Sequence, residues 1–210
     1  TSRKEPFRWG LLYDFSRFAG LQVVLQSLCL KDTLIYPEPT TDFESQLKFL
    51  SDNQCNALSA TPTMWRKILM SPQKKNLRLK QITLGGEVAH NSLLSALSDA
   101  FKGAFITHIY ASTEAGVGFS VKDGKEGFPA SYLESPPNGI FLKIDEGRLF
   151  VKKSVTIVNQ KTPQTTLNDW FDTGDNVEQK NDRIYFLGRA SGVINVGGDK
   201  VYPEQVERVI

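Results

Sequence analysis

The sequence predicts an α/β fold in which a parallel sheet with flanking helices is followed by a small β-rich subdomain. Helical and strand-like patterns alternate with short connections as far as residues 105–110. Repeated βα units of this kind form a parallel sheet with right-handed crossovers. Beyond Gly116, glycines and prolines interrupt the chain and short strand-like runs replace the helices. With 210 residues, 40% of them hydrophobic, the chain can bury a core.

In the first half, strands and helices are predicted from hydrophobic periodicity and end signals. Strand-like runs bounded by turn residues occur at 32–36, 56–60, 81–84 and 105–110. The helices before and between them carry apolar residues at helical spacing: Phe18, Leu21, Leu25 and Leu28; Phe43, Leu47 and Leu50; Trp65, Ile68 and Leu69; Leu93, Leu94, Leu97 and Phe101. Thr41 and Glu44 have the spacing of a capping box, Thr61 is placed to cap the helix that Pro62 begins, and Gly103 ends the last helix.

In the second half, shorter runs predict a β-rich subdomain. Strands are expected at 140–144, 148–152, 155–158, 176–179 and 183–187. Pro203 fits the first position of a further helix, whose apolar pattern reaches Ile210.

Charge, cysteines and hydropathy exclude several classes of function. The 25 basic and 23 acidic residues give a net charge of +2, so neither nucleic acid nor a membrane surface is expected as principal partner. Cys29 and Cys55 lack metal-ligand spacing and suggest free thiols in a reducing compartment, by default the cytoplasm. The most apolar run, 21–30, is far shorter than the roughly 18 residues of a membrane span, so no integral membrane segment is expected.

The strand at 105–110 ends in polar residues that could bind a nucleotide. Ligands of parallel α/β sheets bind beyond the carboxyl ends of the strands, where Tyr110, Thr113 and Glu114 are expected. Tyr110 offers a flat face for a base, Thr113 a hydroxyl for a phosphate oxygen, and Glu114 an oxygen ligand for magnesium. On these residues alone, a strand that ends in a turn stabilised by side-chain hydroxyls is the better interpretation.

Two later stretches favour the nucleotide interpretation. Residues 171–175 place Asp175 after a tight turn, and Arg189 follows Gly188 at the end of a strand. A carboxylate can accept hydrogen bonds from both ribose hydroxyls, and a guanidinium can bind ribose or phosphate oxygens. Tyr-x-x-Thr-Glu, Thr-Gly-Asp and Gly-Arg, in this order, resemble the adenylate-forming (AMP-binding) superfamily of acyl-CoA synthetases, peptide synthetase adenylation domains and luciferases. The match extends to two further motifs, Gly85–Glu87 before these three and residues 193–207 after them. The five motifs together span residues 85–207.

The resemblance implies a reaction and its participants. Enzymes of this kind use ATP and Mg²⁺ to convert a carboxylic acid into an acyl-adenylate, and then pass the acyl group to the thiol of coenzyme A or of a carrier protein. Thr113 and Glu114 become the catalytic candidates, with Glu114 as the magnesium ligand. The other candidates match positions that bind nucleotide or coenzyme A: Gly86, Glu87 and Val88 at adenine, Tyr110 stacked on adenine, Asp175 and Arg189 at the ribose, and Gly197, Gly198 and Lys200 near the pantetheine channel.

The resemblance also implies domain limits. Residues 1–120 form the α/β subdomain of an AMP-binding domain, 121–188 a β-rich, barrel-like subdomain, and 189–210 a hinge with the start of a C-terminal domain. The 210 residues contain neither the family's phosphate loop nor its lysine-bearing C-terminal domain. We therefore expect an incomplete catalytic core, inactive by itself, from a longer acyl- or aryl-CoA synthetase. An amino-acid adenylation domain of a peptide synthetase and a non-catalytic nucleotide-binding or interaction fragment are the alternatives.

Overall fold

The computed structural model describes residues 5–112, 116–135, 137–153, 170–196, 199–203 and 206. Its contacts divide the chain into two compact units. One comprises residues 1–109 and 121–125, and the other comprises residues 110–120 and 126–210. A helix-rich unit built on a parallel sheet and a second, antiparallel β unit confirm the predicted fold class. The domain limits at residues 120 and 188 stay predictions.

The first sheet has six strands connected largely by helices. Its strands are β1 (Arg8–Leu11), β2 (Thr33–Ile35), β3 (Ala57–Ala60), β4 (Gln81–Gly85), β5 (Phe105–Ser112) and β6 (Gly116–Val121). The helices are α1 (Phe18–Cys29), α2 (Phe43–Asp52), α3 (Pro62–Met70) and α4 (Asn91–Ala100). The strand order is β2-β1-β3-β4-β5-β6, and β1 to β5 pair in parallel. Because β2 and β3 flank β1, the strand order reverses there, and ligands of open α/β sheets bind outside the carboxyl ends of the strands at such a point.

Strand β1 is not predicted from the sequence, although it lies inside the sheet between β2 and β3. Its four residues are too few for periodicity to separate a strand from a loop. Trp9 and Leu11 are buried, and a Cβ on Gly10 would lie 2.9 Å from the Cys55 sulfur. The glycine therefore lets the strand approach its neighbours closely.

The predicted N-terminal cap is correct for helix α3 and wrong for helix α2. Thr61 accepts a hydrogen bond from Met64 N at 3.2 Å, which confirms the cap of α3. The predicted capping box of α2 is wrong, because Asp42 and not Thr41 caps the helix by accepting from Ser45 N at 3.0 Å. Two adjacent residues could both act as caps, and the carboxylate is the one that reaches the free amide.

The core of the first unit lies where three of the four apolar stripes predict it. Fully buried side chains include Leu47, Leu50, Trp65, Ile68 and Leu97. They come from α2, α3 and α4 and pack around strands such as β3 and β4.

Helix α1 forms as predicted, but its predicted apolar stripe is exposed. Phe18, Leu21, Leu25 and Leu28 face outward, and Leu28 is 69% exposed. The buried positions are Gly20, Val23 and Ser27. A Cβ on Gly20 would lie 2.2 Å from the carbonyl oxygen of Asp14, so α1 meets the preceding loop on its small-residue face. Periodicity therefore identified the helix and not its buried side.

The second unit contains a five-stranded antiparallel sheet with the order β7-β11-β10-β9-β8. Its strands are β7 (Phe128–Pro129), β8 (Ile140–Asp145), β9 (Arg148–Lys153), β10 (Phe171–Lys180) and β11 (Arg183–Arg189). A separate two-stranded ladder joins β12 (Ile194–Val196) to β13 (Asp199–Val201). The strands expected at 140–144, 148–152, 176–179 and 183–187 are confirmed, and the one containing 176–179 begins earlier, at Phe171.

Other sequence-based expectations fall where the structure gives no description. The strand predicted at 155–158 and most of the helix predicted after Pro203 lie outside the described residues. Within the described residues, the helices are too short or too polar to cross a membrane.

The burial pattern predicts a large loss of stability for one leucine-to-alanine substitution in a helix and almost none for another. Leu50→Ala removes a fully buried side chain and should lower the free energy of unfolding by about 2–5 kcal/mol. Leu28→Ala, its matched control on the exposed face of α1, should change it by less than about 0.5 kcal/mol. Chemical denaturation measures both. Equal losses for the two variants would contradict the assignment of α1's exposed side.

Candidate functional site

The best-defined polar cluster joins Tyr110, Asp175 and Arg189 in the second unit. Asp175 on β10 lies directly opposite Arg189, the last residue of β11, in the antiparallel register. The Tyr110 hydroxyl donates to Asp175 Oδ2 at 2.5 Å, and Arg189 Nε lies 3.4 Å from Oδ1. The Asp175 side chain is only 13% exposed, whereas that of Arg189 is 65% exposed. The structure thus brings together three candidates that are separated in sequence.

The carboxylate of Asp175 is set in place by an irregular segment of β10. The register with β9 shifts between Asp172 and Asn176, and Gly174 has a φ of +75°, which favours glycine. Asp172 Oδ1 accepts from Gly174 N at 2.9 Å. Thr173 Oγ1 accepts from Asp175 N at 3.2 Å and donates to Leu149 O at 2.8 Å. The expected tight turn is therefore a bulge within one strand, held by the side chains of its own motif.

The ring of Tyr110 packs against other aromatic rings. It stacks on Phe119 with centroids 5.2 Å apart and on Phe186 at 5.1 Å. A Cβ on Gly118 would lie 2.7 Å from the Tyr110 carbonyl oxygen and 3.0 Å from Cδ1, so only glycine allows this approach. Phe119 and Phe186 therefore cover part of the Tyr110 ring. The base-stacking role of Tyr110 stays a prediction.

The electrostatic surroundings keep Tyr110 protonated. Burial raises the pKa of its hydroxyl far above the ordinary value, and the charge of Asp175 and the hydrogen bond to it raise it further. Tyr110 is therefore a hydrogen-bond donor to Asp175 throughout the physiological pH range.

The loop at 86–88 belongs to the first unit and follows β4. Gly86 is exposed, with a φ of +85°, which favours glycine. Glu87 Oε2 accepts from Thr63 N at 2.9 Å and from Thr63 Oγ1 at 2.7 Å. Glu87 therefore supplements the Thr61 cap of α3, a role that its sequence neighbours do not indicate. Val88 is half-buried, and contact of this loop with adenine stays a prediction.

A second polar pair lies at the carboxyl edge near β1 and β3. Tyr13 follows β1 and shares a hydrogen bond with Ser59 on β3. Burial raises the pKa of Tyr13 to about 12, the bond to Ser59 opposes the shift, and the charge of Glu87 adds to it. Neither Tyr13 nor Ser59 is among the site residues predicted from the sequence. Their position at the carboxyl ends of parallel strands is the sequence feature that could have indicated them as site residues.

The remaining candidates cannot be placed in the site. Thr113, Glu114, Gly197 and Gly198 lie outside the described residues. Lys200 pairs with Asn195 in the ladder of β12 and β13, and its side chain is also outside the description. Within the described part of the chain, no group of three or more His, Cys, Asp or Glu side chains could hold a metal ion.

Comparison with known proteins assigns the chain to a family. The sequence profile of the AMP-binding enzyme family matches residues 7–162, well over half of the chain. The chain belongs to the AMP-binding enzyme family. The resemblance seen in its motifs is thereby confirmed.

The relatives include CoA ligases and a subunit of surfactin synthase. A 2-succinylbenzoate–CoA ligase of Bacillus licheniformis is 27% identical over 99% of this chain, which covers 46% of that protein. Surfactin synthase subunit 1 of Bacillus subtilis is 24% identical over 100% of the chain, which covers 7% of that protein. The chain spans about half the length of the CoA ligases it matches.

Solved structures confirm the fold. The O-succinylbenzoate coenzyme A synthetase of Bacillus subtilis, in complex with ATP and magnesium ion, superimposes with a TM-score of 0.68. The match covers 99% of this chain and 46% of that one at 20% identity.

The capping role of Glu87 predicts a stability effect in the absence of nucleotide. Glu87→Ala leaves Thr63 N without its acceptor at the start of α3 and should lower the free energy of unfolding by about 1 kcal/mol. Glu87→Gln, which keeps an acceptor oxygen, should lose less. Thermal or chemical unfolding of the nucleotide-free protein measures the difference. Unchanged stability of Glu87→Ala, combined with weaker AMP binding, would contradict the cap and favour the adenine role.

Proposed function

We propose that this AMP-binding chain contributes the ribose-binding part of an enzyme that activates a carboxylic acid with ATP. In that reaction the acid's carboxylate attacks the α-phosphorus of ATP, pyrophosphate leaves, and an acyl-adenylate forms. A thiol, in our proposal that of coenzyme A, then attacks the acyl carbon and releases AMP. The CoA ligases among the relatives support this reaction class. A cytoplasmic location remains part of the proposal.

The observation that carries the proposal is the carboxylate of Asp175. It lies on a bulge held by Thr173 and Gly174, opposite a guanidinium in register. Catalysis at a phosphoryl centre depends mostly on positioning and charge neutralisation, so a fixed acceptor for the ribose is a useful contribution. Arg189, whose side chain is largely exposed, is free to reach a ribose or phosphate oxygen beside it.

The other candidates keep the roles that the resemblance gives them. Gly86, Glu87 and Val88 would contact adenine, Thr113 a phosphate oxygen, and Gly197, Gly198 and Lys200 the pantetheine arm. A carboxylate is a suitable oxygen ligand for Mg²⁺ bound to the triphosphate, and we assign this role to Glu114. When bound, the ion would neutralise charge on the phosphates.

A carrier-protein thiol is the second candidate for the acceptor. The match to surfactin synthase subunit 1 extends over the whole chain, which favours keeping a peptide synthetase adenylation domain as the alternative. Detection of a carrier domain in the same natural protein would select it over coenzyme A.

The ribose role predicts that Asp175→Ala weakens AMP binding by about 1.5–3 kcal/mol, or roughly ten- to hundredfold. The substitution removes the acceptor for both ribose hydroxyls. Asp145→Ala on β8 is the control, because it removes the same charge from the same sheet at an exposed ion pair with Lys143. Isothermal titration calorimetry measures both. Equal AMP affinity in the Asp175 and Asp145 variants would reject the role of Asp175.

The proposed magnesium role predicts a selective effect of Glu114→Gln on the first half-reaction. The variant keeps the size of the side chain and removes its charge, so adenylation should slow more than thioester formation from preformed acyl-AMP. Pyrophosphate exchange in the natural protein that carries this chain, with 2-succinylbenzoate as the first acid tried, measures adenylation. Equal slowing of both half-reactions, or unchanged exchange at limiting magnesium, would show that Glu114 is not the ligand.

A further inference from the structure

Tyr110 holds Asp175 through its hydroxyl, from a ring that is itself fixed. Its stacking on Phe119 and Phe186 and the close approach of Gly118 leave the ring little freedom. Phe119 in turn is buried and packs against Phe128 with centroids 4.8 Å apart. The hydroxyl therefore projects from the aromatic cluster toward the Asp175 carboxylate, where it donates to Oδ2, and it also shares a hydrogen bond with the Thr173 side chain.

Asp175 is held by its neighbours in three ways. Oδ2 accepts from Tyr110, Oδ1 lies near Arg189 Nε, and the backbone N–H donates to Thr173 Oγ1. The Tyr110 bond is the short one at 2.5 Å, whereas the Arg189 distance is 3.4 Å to a largely exposed side chain. The phenol is thus the closer of the two side-chain contacts to the carboxylate.

The remaining hydrogen-bonding capacity of Asp175 matches the two hydroxyls of a ribose. An ionised carboxylate has about four acceptor positions, two on each oxygen. Tyr110 uses one on Oδ2 and Arg189 is placed to use one on Oδ1, which leaves one position on each oxygen. Two adjacent hydroxyls require two acceptor positions of this kind.

We propose that Tyr110 is a positioning residue, whose hydroxyl orients Asp175 so that the free acceptor position of each oxygen faces the adjacent 2′- and 3′-hydroxyls of a nucleotide. The inference rests on the proposed ribose role of Asp175 and adds a function for Tyr110 that does not use its ring. A residue that only stacks on the base would act through its ring face and would be insensitive to the ribose hydroxyls.

The test compares AMP with 2′-deoxy-AMP and 3′-deoxy-AMP in binding to the unaltered protein and to Tyr110→Phe. Phenylalanine keeps the ring contacts and removes only the donor. The unaltered protein should bind AMP about tenfold or more tightly than either deoxy analogue, and Tyr110→Phe should reduce that ratio about three- to tenfold. Calorimetry measures the ratios, and near-UV circular dichroism checks that the aromatic cluster is intact.

Tyr132→Phe is the matched control from the same aromatic cluster. Tyr132 packs against Phe119 and Phe128, and its hydroxyl donates to Ser120 O at 3.2 Å and not to Asp175. This variant should keep the preference for AMP. A second test places Tyr110→Phe in an Asp175→Ala background, where it should cause no further loss of AMP affinity, because Tyr110 acts through Asp175.

The outcomes separate the positioning role of Tyr110 from the ribose role of Asp175. An unchanged preference in Tyr110→Phe, or equal weakening of AMP and both deoxy analogues, overturns the positioning role. If Asp175→Ala abolishes the preference while Tyr110→Phe retains it, the ribose role survives and only this inference fails. If Asp175→Ala retains the preference, or the unaltered protein shows none, both fail.

Discussion

The pairing of β10 with β11 is the constraint on which the candidate site depends. Its register places Asp175 opposite Arg189, and the bulge before it turns the Asp175 carboxylate toward the Tyr110 hydroxyl. A one-residue slip in such a pairing would move every following side chain to the other face of the sheet. The small residues of the motif, Thr173 and Gly174, thus act as structural parts of the site and help to orient the Asp175 carboxylate.

Much of the fold could be predicted from local patterns, and the errors have local causes. Helices α2, α3 and α4 bury the residues that their periodicity indicated, because their apolar stripes face the sheet. In α1 the apolar residues face outward, since Gly20 meets the backbone at Asp14 and the small face lies inside. Spacing determines that a segment is a helix, whereas tertiary contacts determine which side is buried. The one-residue error at the cap of α2 has the same origin, because Thr41 and Asp42 are both good caps.

Motifs indicate the residues of the candidate site, but they do not predict the contacts among these residues. The motif predicts contact of the Tyr110 ring with adenine, but it does not indicate that the ring stacks on Phe119 and Phe186. Its bond to Asp175 joins residues 65 positions apart, a separation at which periodicity and turn signals carry no information. The contact of Glu87 could not be predicted either, because its carboxylate bonds to Thr63 at the start of a helix 24 positions earlier in the chain.

The central claim is that Asp175, held by Tyr110, is the acceptor for a nucleotide ribose. A crystal structure of the protein with bound AMP tests it most directly. We expect both ribose hydroxyls within about 3.2 Å of the two Asp175 oxygens, with the Tyr110 hydroxyl still bonded to Oδ2. A ribose bound elsewhere, or a Tyr110 ring that has left Phe119 and Phe186 to stack on adenine with its hydroxyl away from Asp175, would contradict it.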